Sequence, residues 1–181
     1  MRFPLLCVAV SVLTLNSACS QKREVAGTST GRTPGAKTYF NAQPVTGKPG
    51  EFPVQKTEAE WKQTLTPDQF YILREQGTER PFTGKYHDNH AAGNYYCAAD
   101  HNFLFASDTK FESGTGWPSF FAPATANSVK VASDNTLGMS RDEIVCAKCG
   151  GHLGHVFNDG PKPTSQRYCM DGNALVFEPK K

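Results

Sequence analysis

Apolar positions follow different rules in different parts of the chain. Residues 57–77 carry two short helical patterns. Thr57-Glu58-Ala59-Glu60 has the form of a capping box, in which Glu60 reaches back to the Thr57 amide, and Trp61 and Leu65 then share one face. Thr66-Pro67-Asp68-Gln69 repeats the device with proline at the first helical position. Phe70 and Leu73 supply the apolar side of this second helix, and Gly77 is its expected C-terminal stop. After Pro81 the helical period disappears. Aromatic residues and valines recur in short runs broken by Gly, Pro, Asn and Asp, which is the pattern of short strands and loops. Alternation is cleanest near the end: Arg167, Cys169 and Asp171 are predicted on one strand face, Tyr168 and Met170 on the other, with Leu175 and Phe177 continuing as a strand after Gly172. The whole predicts a mainly β, antiparallel domain with helices at its start, and no internal repeat is visible.

Upstream of Thr57 neither period holds. Residues 20–56 are rich in Thr, Gly, Pro and Lys and read as a flexible tether, with Tyr39-Phe40 as a point that could dock on the domain. Residues 1–19 read as an export signal: Arg2 is followed by an uncharged, mostly apolar run from Phe3 to Leu15, then by small residues up to Ala18-Cys19. That run falls short of the ~18 apolar residues of a membrane span. Ser17-Ala18-Cys19-Ser20 resembles a bacterial lipoprotein site, with Cys19 as the lipidated residue, although Asn16 stands where leucine is usual. Ordinary signal cleavage nearby is the alternative. The expectation is an exported protein, periplasmic or anchored at the outer membrane only through Cys19, with its domain in residues 57–179.

A chain of 181 residues suits one domain plus such accessory segments. Its formal charge of +2 comes without a Lys/Arg stripe, which argues against nucleic acid. Six cysteines are present; with Cys7 in the signal and Cys19 lipidated, Cys97, Cys146, Cys149 and Cys169 remain. An even set in an exported protein ordinarily means disulfides. Here the spacing points elsewhere, because Cys146-x-x-Cys149 is a metal-type or redox-type pair and Cys169 stands apart.

Three clusters could carry chemistry. Cys169 is the candidate nucleophile, with Arg167 two residues away to favour its thiolate; a buried, inert cysteine is the plain alternative. His152-Leu153-Gly154-His155 offers two imidazoles that could donate a proton or orient a substrate. A zinc site made of Cys146, Cys149, His152 and His155 is disfavoured, because two glycines separate the pairs where finger-type sites use a spacer of about 12 residues. Cys97-Ala98-Ala99-Asp100 instead repeats the spacing upstream, so Cys97, Asp100, Cys146 and Cys149 form a candidate zinc site, with His101 as an alternative ligand and a Cys146–Cys149 disulfide as the competing reading. Finally, Gly114-Thr115-Gly116-Trp117-Pro118-Ser119-Phe120-Phe121 suggests a glycine-flanked loop presenting an indole as a pocket wall, or else a core tryptophan.

Taken in order, these strings resemble the methionine-R-sulfoxide reductase (MsrB) family. The matching residues are Gly77-Thr78-Glu79, Pro81-Phe82-Thr83-Gly84, Gly116-Trp117-Pro118-Ser119-Phe120, Cys146-x-x-Cys149, His152-Leu153-Gly154-His155-Val156-Phe157, Asp159-Gly160-Pro161 and Arg167-Tyr168-Cys169. The resemblance implies the family's β-tent-like fold, two antiparallel β-sheets with short N-terminal helices. It implies Cys169 as nucleophile, His152 and His155 as catalytic partners, and a substrate site of Trp117, Phe157, Arg167 and Asp171. It further implies a structural zinc, oxidised proteins or peptides as substrates, a thiol reductant of the thioredoxin or dithiol type, and a working monomer. Three positions depart from the family pattern. Thr115 stands where many members have a resolving cysteine, Asp100 replaces one cysteine of a second Cys-x-x-Cys pair, and Asp171 replaces a common asparagine. Recycling by an external thiol is therefore expected. A catalytically degenerate zinc-binding or interaction module is the second reading, and a disulfide oxidoreductase built on Cys146 and Cys149 the third, which lacks the βαβ context such a pair needs.

Overall fold

The computed structural model describes residues 37–48, 50–135, 138 and 140–181. The expected export signal, Cys19 and the first part of the expected tether lie outside the described residues. Both capping boxes form. Thr57 starts α1 (Glu58–Thr64) and Thr66 starts α2 (Pro67–Glu75), each accepting from the backbone N–H three residues on while Glu60 or Gln69 reaches back. The left-handed turn that ends α2 falls on Gln76 rather than on Gly77. Gly77 lies under the half-exposed ring of Tyr71, which a Cβ there would approach to 2.2 Å and have to turn aside. Trp61, Leu65, Phe70, Ile72 and Leu73 are the buried side chains of this helical hairpin.

Among the described residues, ten strands follow the β expectation: β1 (Gln43–Pro44), β2 (Gly93–Cys97), β3 (Phe103–Ala106), β4 (Lys110–Phe111), β5 (Ser119–Phe120), β6 (Val129–Asp134), β7 (Arg141–Cys146), β8 (His152–Phe157), β9 (Arg167–Met170) and β10 (Leu175–Pro179). They build a seven-stranded sheet in the order β1-β6-β7-β8-β9-β5-β4 and a three-stranded sheet in the order β10-β2-β3. The larger sheet is mixed, not purely antiparallel, because β1 pairs parallel with β6. β10 is no continuation of β9 either. After Met170 the chain turns through a 3-10 segment, Gly172–Ala174, and joins the smaller sheet. Periodicity sees two apolar runs around a glycine; only packing decides that they belong to different sheets. The sheets meet through aromatic rings: Phe105 stacks on Phe120 at 4.4 Å, Tyr95 stands edge-on to Phe120 at 4.9 Å, and Tyr168 approaches Phe105 at 5.9 Å.

Residues 37–48 and 50–56, tether-like in composition, run along this body. Tyr39 packs edge-on to Phe121 at 5.1 Å, the Ala42 amide donates to the Tyr168 hydroxyl at 3.1 Å, and Val54 N–H donates to the Lys148 carbonyl at 3.0 Å. Glu51 takes an ion pair from Lys130 at 2.6 Å, and its carboxyl is held at about 2 by that lysine and the Thr46 amide.

Candidate active site

Cys169 lies on β9 between β8 and β5, directly opposite His155 on one side and Ser119 on the other. The strand's alternation buries Tyr168 and Met170 and leaves Arg167 and Cys169 half-exposed. The β8–β9 approach depends on Gly154. Its φ is +145°, and a Cβ there would lie 2.1 Å from the Cys169 carbonyl oxygen. Any side chain at 154 would push away the strand that carries the thiol.

The Cys169 side chain opens into a cleft of about 130 Å³ lined by Thr78, Trp117, Arg141, Gly154, His155, Phe157, Met170 and Asp171. Trp117 is half-buried, and its indole N–H donates to the Glu79 carbonyl at 3.1 Å, which fixes the ring as a wall. Phe157 forms a second aromatic wall. The Arg167 guanidinium lies 4.3 Å from the Phe157 ring and forks onto Asp159 with bonds of 2.8 and 2.9 Å. Arg167 is therefore paired with Asp159 and is not among the residues lining the cleft, though its charge still reaches Cys169. On the β5 side, Ser113 bonds Thr115 at 2.8 Å and Ser119 at 2.7 Å, and the Thr115 hydroxyl stands 3.8 Å from the Cys169 sulfur.

Burial pushes the Cys169 thiol up; the Thr115 hydroxyl, the Arg167 charge and the Ser119 hydroxyl pull it down, and Asp171 adds to the upward push. Arg167 does pull the thiol toward its thiolate, as the spacing suggested, but burial is the larger effect and the net shift is upward. Asp171, only 2% exposed, is pushed up to about 7 by burial, against the Glu79 amide and the positive field of His152. His155 moves down through burial, opposed by its 2.9 Å contact with Asp134. Asp134 also accepts from Arg141 at 2.7 Å. His152 is set behind Asp171 rather than in the cleft wall. It is 4% exposed, its Nδ1 lies 2.7 Å from Glu143 Oε1, and its Nε2 lies 3.7 Å from Asp171 Oδ2 without a hydrogen-bond partner among the described residues.

Sequence reasoning missed the residues that hold these groups. Glu79 is the clearest case. Its amide donates to Asp171 Oδ1 at 2.9 Å and its carbonyl holds Trp117, while its carboxylate accepts from the amides of Gly172 at 2.6 Å and Asn173 at 3.1 Å. Only its place in the Gly77-Thr78-Glu79 string could have flagged it. Glu143 had a weak signal, a charged residue next to the apolar run Ile144-Val145 that turns out to be buried.

A second cluster forms elsewhere in the fold. Ligand atoms of Cys97, Asp100, Cys146 and Cys149 all lie within 4.8 Å of one another, and none of the four thiols among the described residues is in a disulfide. The Cys97 and Cys149 sulfurs are 3.8 Å apart, and Cys146 Sγ lies 3.4 Å from Asp100 Oδ2. A tetrahedron with metal–sulfur bonds of ~2.3 Å and a metal–oxygen bond of ~2.0 Å has edges of about 3.8 and 3.5 Å, so this donor set can hold a metal ion. N–H groups of Asn102 and Lys148 point at Cys146 Sγ, each at 3.5 Å, as a thiolate would require. Neither imidazole of the 152–155 pair joins this cluster. His101 also stays out: it pairs with Glu178 at 2.9 Å and stacks on Tyr96.

Comparison with known proteins places the whole domain. The family model described as SelR domain matches residues 65–179. A protein of Agrobacterium fabrum named peptide methionine sulfoxide reductase MsrB is 57% identical over 126 residues, covering 70% of this chain and 93% of the relative. Proteins of the same name from Thiobacillus denitrificans (55% identical, 69% of this chain and 95% of the relative) and Methanosarcina mazei (53% identical, 68% and 89%) match in the same way.

Proposed function

This chain belongs to the SelR-domain family of peptide methionine sulfoxide reductases, and on that footing we propose that it reduces the R epimer of methionine sulfoxide in proteins and peptides through Cys169. One observation carries the reading: a thiol opens into a small cleft between an indole and a phenyl ring, with His155 and the carboxyl of Asp171 at its polar edge. A methyl sulfoxide has that split character, an apolar methyl beside a strongly accepting oxygen. Trp117 receives the methyl group, and the oxygen is turned toward His155 and Asp171. The opposite epimer would exchange methyl and oxygen, which sets the oxygen against the indole face.

The chemistry conserves protons. Cys169 gives its proton to a neighbouring base, and its sulfur attacks the sulfoxide sulfur. The substrate S–O bond breaks, an S–O bond forms on Cys169, and two electrons pass from the cysteine sulfur to the substrate. The proton returns to the oxygen, leaving methionine and a sulfenic acid. A second thiol must then condense with Cys169 and release water. Thr115 places a hydroxyl, not a thiol, beside the sulfur. An external reducing protein or small dithiol is therefore the reductant. A working monomer is part of the same proposal. Separate assays of the two epimers with a chemical dithiol test the proposal; equal rates, or turnover of the S epimer alone, would refute it.

For the second cluster the proposed occupant is zinc, held by Cys97, Asp100, Cys146 and Cys149 and acting structurally. The ion would tie the β2–β3 turn to the β7–β8 turn and supply folding energy rather than a catalytic step. Export is likewise a proposal, supported by the Arg2, Phe3–Leu15 and Ala18-Cys19 pattern, with residues 20–56 as the link to the domain and Cys19 as the lipid anchor. Mass spectrometry of the mature N-terminus distinguishes a lipidated Cys19 from plain cleavage.

A further inference from the structure

Ahead of the helices, residues 43–54 reach the turn that carries two of the four cluster ligands, Cys146 and Cys149. None of these residues falls within 65–179, the stretch that the family model covers. Their start is fixed on the edge of the larger sheet: Gln43–Pro44 pairs with β6, and the Val45 N–H donates to the Val131 carbonyl at 2.8 Å. The chain then closes around one carboxylate. Glu51, whose side chain is 4% exposed, accepts from the amides of Thr46 at 2.7 Å and Gly47 at 2.6 Å and pairs with Lys130 of β6 at 2.6 Å. Charge-assisted bonds of this kind are stronger than neutral ones, and here they aim the residues that follow. Those residues lie on the turn. The Val54 N–H donates at 3.0 Å to the carbonyl of Lys148, between the two cysteines. The Phe52 ring rests on Gly150 so closely that a Cβ there would lie 3.0 Å from it. The Lys130 ammonium lies 5.8 Å from the centre of the Phe52 ring, so one lysine serves both Glu51 and Phe52. Arg74 of α2 holds the same turn separately, by a bond of 3.1 Å to the Cys149 carbonyl.

We propose that residues 43–54 are a clasp over the metal turn, pinned by Glu51, which slows both the loss of a bound metal ion and attack on the Cys146 and Cys149 thiols. The inference rests on the reading of Cys97, Asp100, Cys146 and Cys149 as a zinc site and adds what controls exchange at it. Both cysteines of the turn are buried. A chelator or an alkylating reagent therefore reaches them through local opening, and its rate follows the population of the open form. Opening breaks the Val54–Lys148 bond and lifts Gly150 off the Phe52 ring. Those contacts resist opening only while residues 52–54 are themselves held, and the Glu51 carboxylate is what holds them. A further turn bond, from the Gly150 N–H to the Cys146 carbonyl at 2.9 Å, reports whether the turn is closed. No described residue of the clasp lines the catalytic cleft, so its effect falls on retention of the ion and protection of the thiols rather than on turnover.

The test uses full-length protein loaded with zinc and mixed with an excess of a chromophoric chelator, pyridylazoresorcinol. Glu51→Ala and Phe52→Ala should each release zinc about 10-fold faster than wild type or more, the factor that follows from losing one charge-assisted or well-packed contact. Hydrogen exchange at the Gly150 amide should speed up in parallel in both variants. Tyr39→Ala is the control. It removes the ring contact with Phe121 at 5.1 Å, which lies outside the clasp, and should release zinc at close to the wild-type rate. Urea denaturation of all the variants shows whether release follows overall stability instead of position. Wild-type release rates in both clasp variants, or an equal acceleration in Tyr39→Ala, would overturn the proposal. Wild type that takes up no zinc would sink the metal reading instead. Alkylation of Cys146 and Cys149 by iodoacetamide, followed by mass spectrometry in the same proteins, then decides the clasp: faster labelling in Glu51→Ala and Phe52→Ala alone upholds it, and wild-type labelling rates refute it.

Discussion

Replacing Asp171 by asparagine removes one ionisation from the floor of the cleft while keeping the shape. The Glu79 amide can still donate to the side-chain oxygen that it now holds at 2.9 Å, and the new amide can donate to His152 Nε2. In an unfolded chain Asp171 ionises near its ordinary 3.8, whereas burial in the fold holds it up to about 7. The sign follows from which state binds the proton more tightly. Below pH 4 both states are protonated, and wild type and variant should be nearly equal in stability. As the pH rises toward 7, the unfolded state gives up the proton and the folded state keeps it, so the wild type loses stability relative to the variant. Above 7 the folded state also ionises and the difference levels off. The two values stand about three pH units apart, equivalent to about 4 kcal/mol in favour of Asp171→Asn at neutral pH. Urea denaturation of both proteins at half-unit steps from pH 4 to 8, with matched metal content, measures the difference directly. Curves that run parallel across the range would show that Asp171 ionises normally in the fold.

The other predictions concern the sulfur chemistry and the metal. Cys169→Ser should lower turnover at least about 1,000-fold with the fold intact, because a serine hydroxyl is no comparable nucleophile; substantial residual activity would move the nucleophile elsewhere. Trp117→Ala removes the wall for the methyl group and should cost about 10-fold or more in kcat/KM, mostly through KM, whereas a pure loss in kcat would mean that the indole acts on the chemistry itself. Wild type treated with one equivalent of substrate and no reductant should carry a sulfenic acid on Cys169 that a dimedone-type reagent traps. Thr115→Cys puts a thiol where a hydroxyl now stands 3.8 Å from that sulfur, so trapping should give way to a disulfide between position 115 and Cys169. A disulfide from Cys169 to Cys97, Cys146 or Cys149 in the wild type would instead contradict a permanent metal site. Chelation should lower the melting temperature by more than about 10 °C, with recovery on adding zinc; unchanged melting in protein shown by elemental analysis to lack metal would refute a structural ion.

What the sequence determined by itself was whatever depends on neighbours in the chain. Both helix starts could be read from Thr57–Glu60 and Thr66–Gln69, because a capping box closes within four residues. The side chosen by Cys169 was legible from strand alternation, and the nucleophile, the histidine pair, the indole loop and the Cys-x-x-Cys pair were legible from motif strings. Tertiary structure decided what lies across the fold. Periodicity had no means of pairing Gln43–Pro44 parallel with β6, or of sending Leu175–Pro179 to a different sheet from Arg167–Met170. It had no means of showing that Glu79, 92 positions before Asp171, braces that carboxyl and the indole together. Arg167 and His152 make the same point about electrostatics. Their spacing suggests a cation activating a thiol and an imidazole facing substrate. The fold turns Arg167 onto Asp159 and seals His152 behind Asp171, where burial, a many-body property of packing, outweighs local charge and lifts both Cys169 and Asp171.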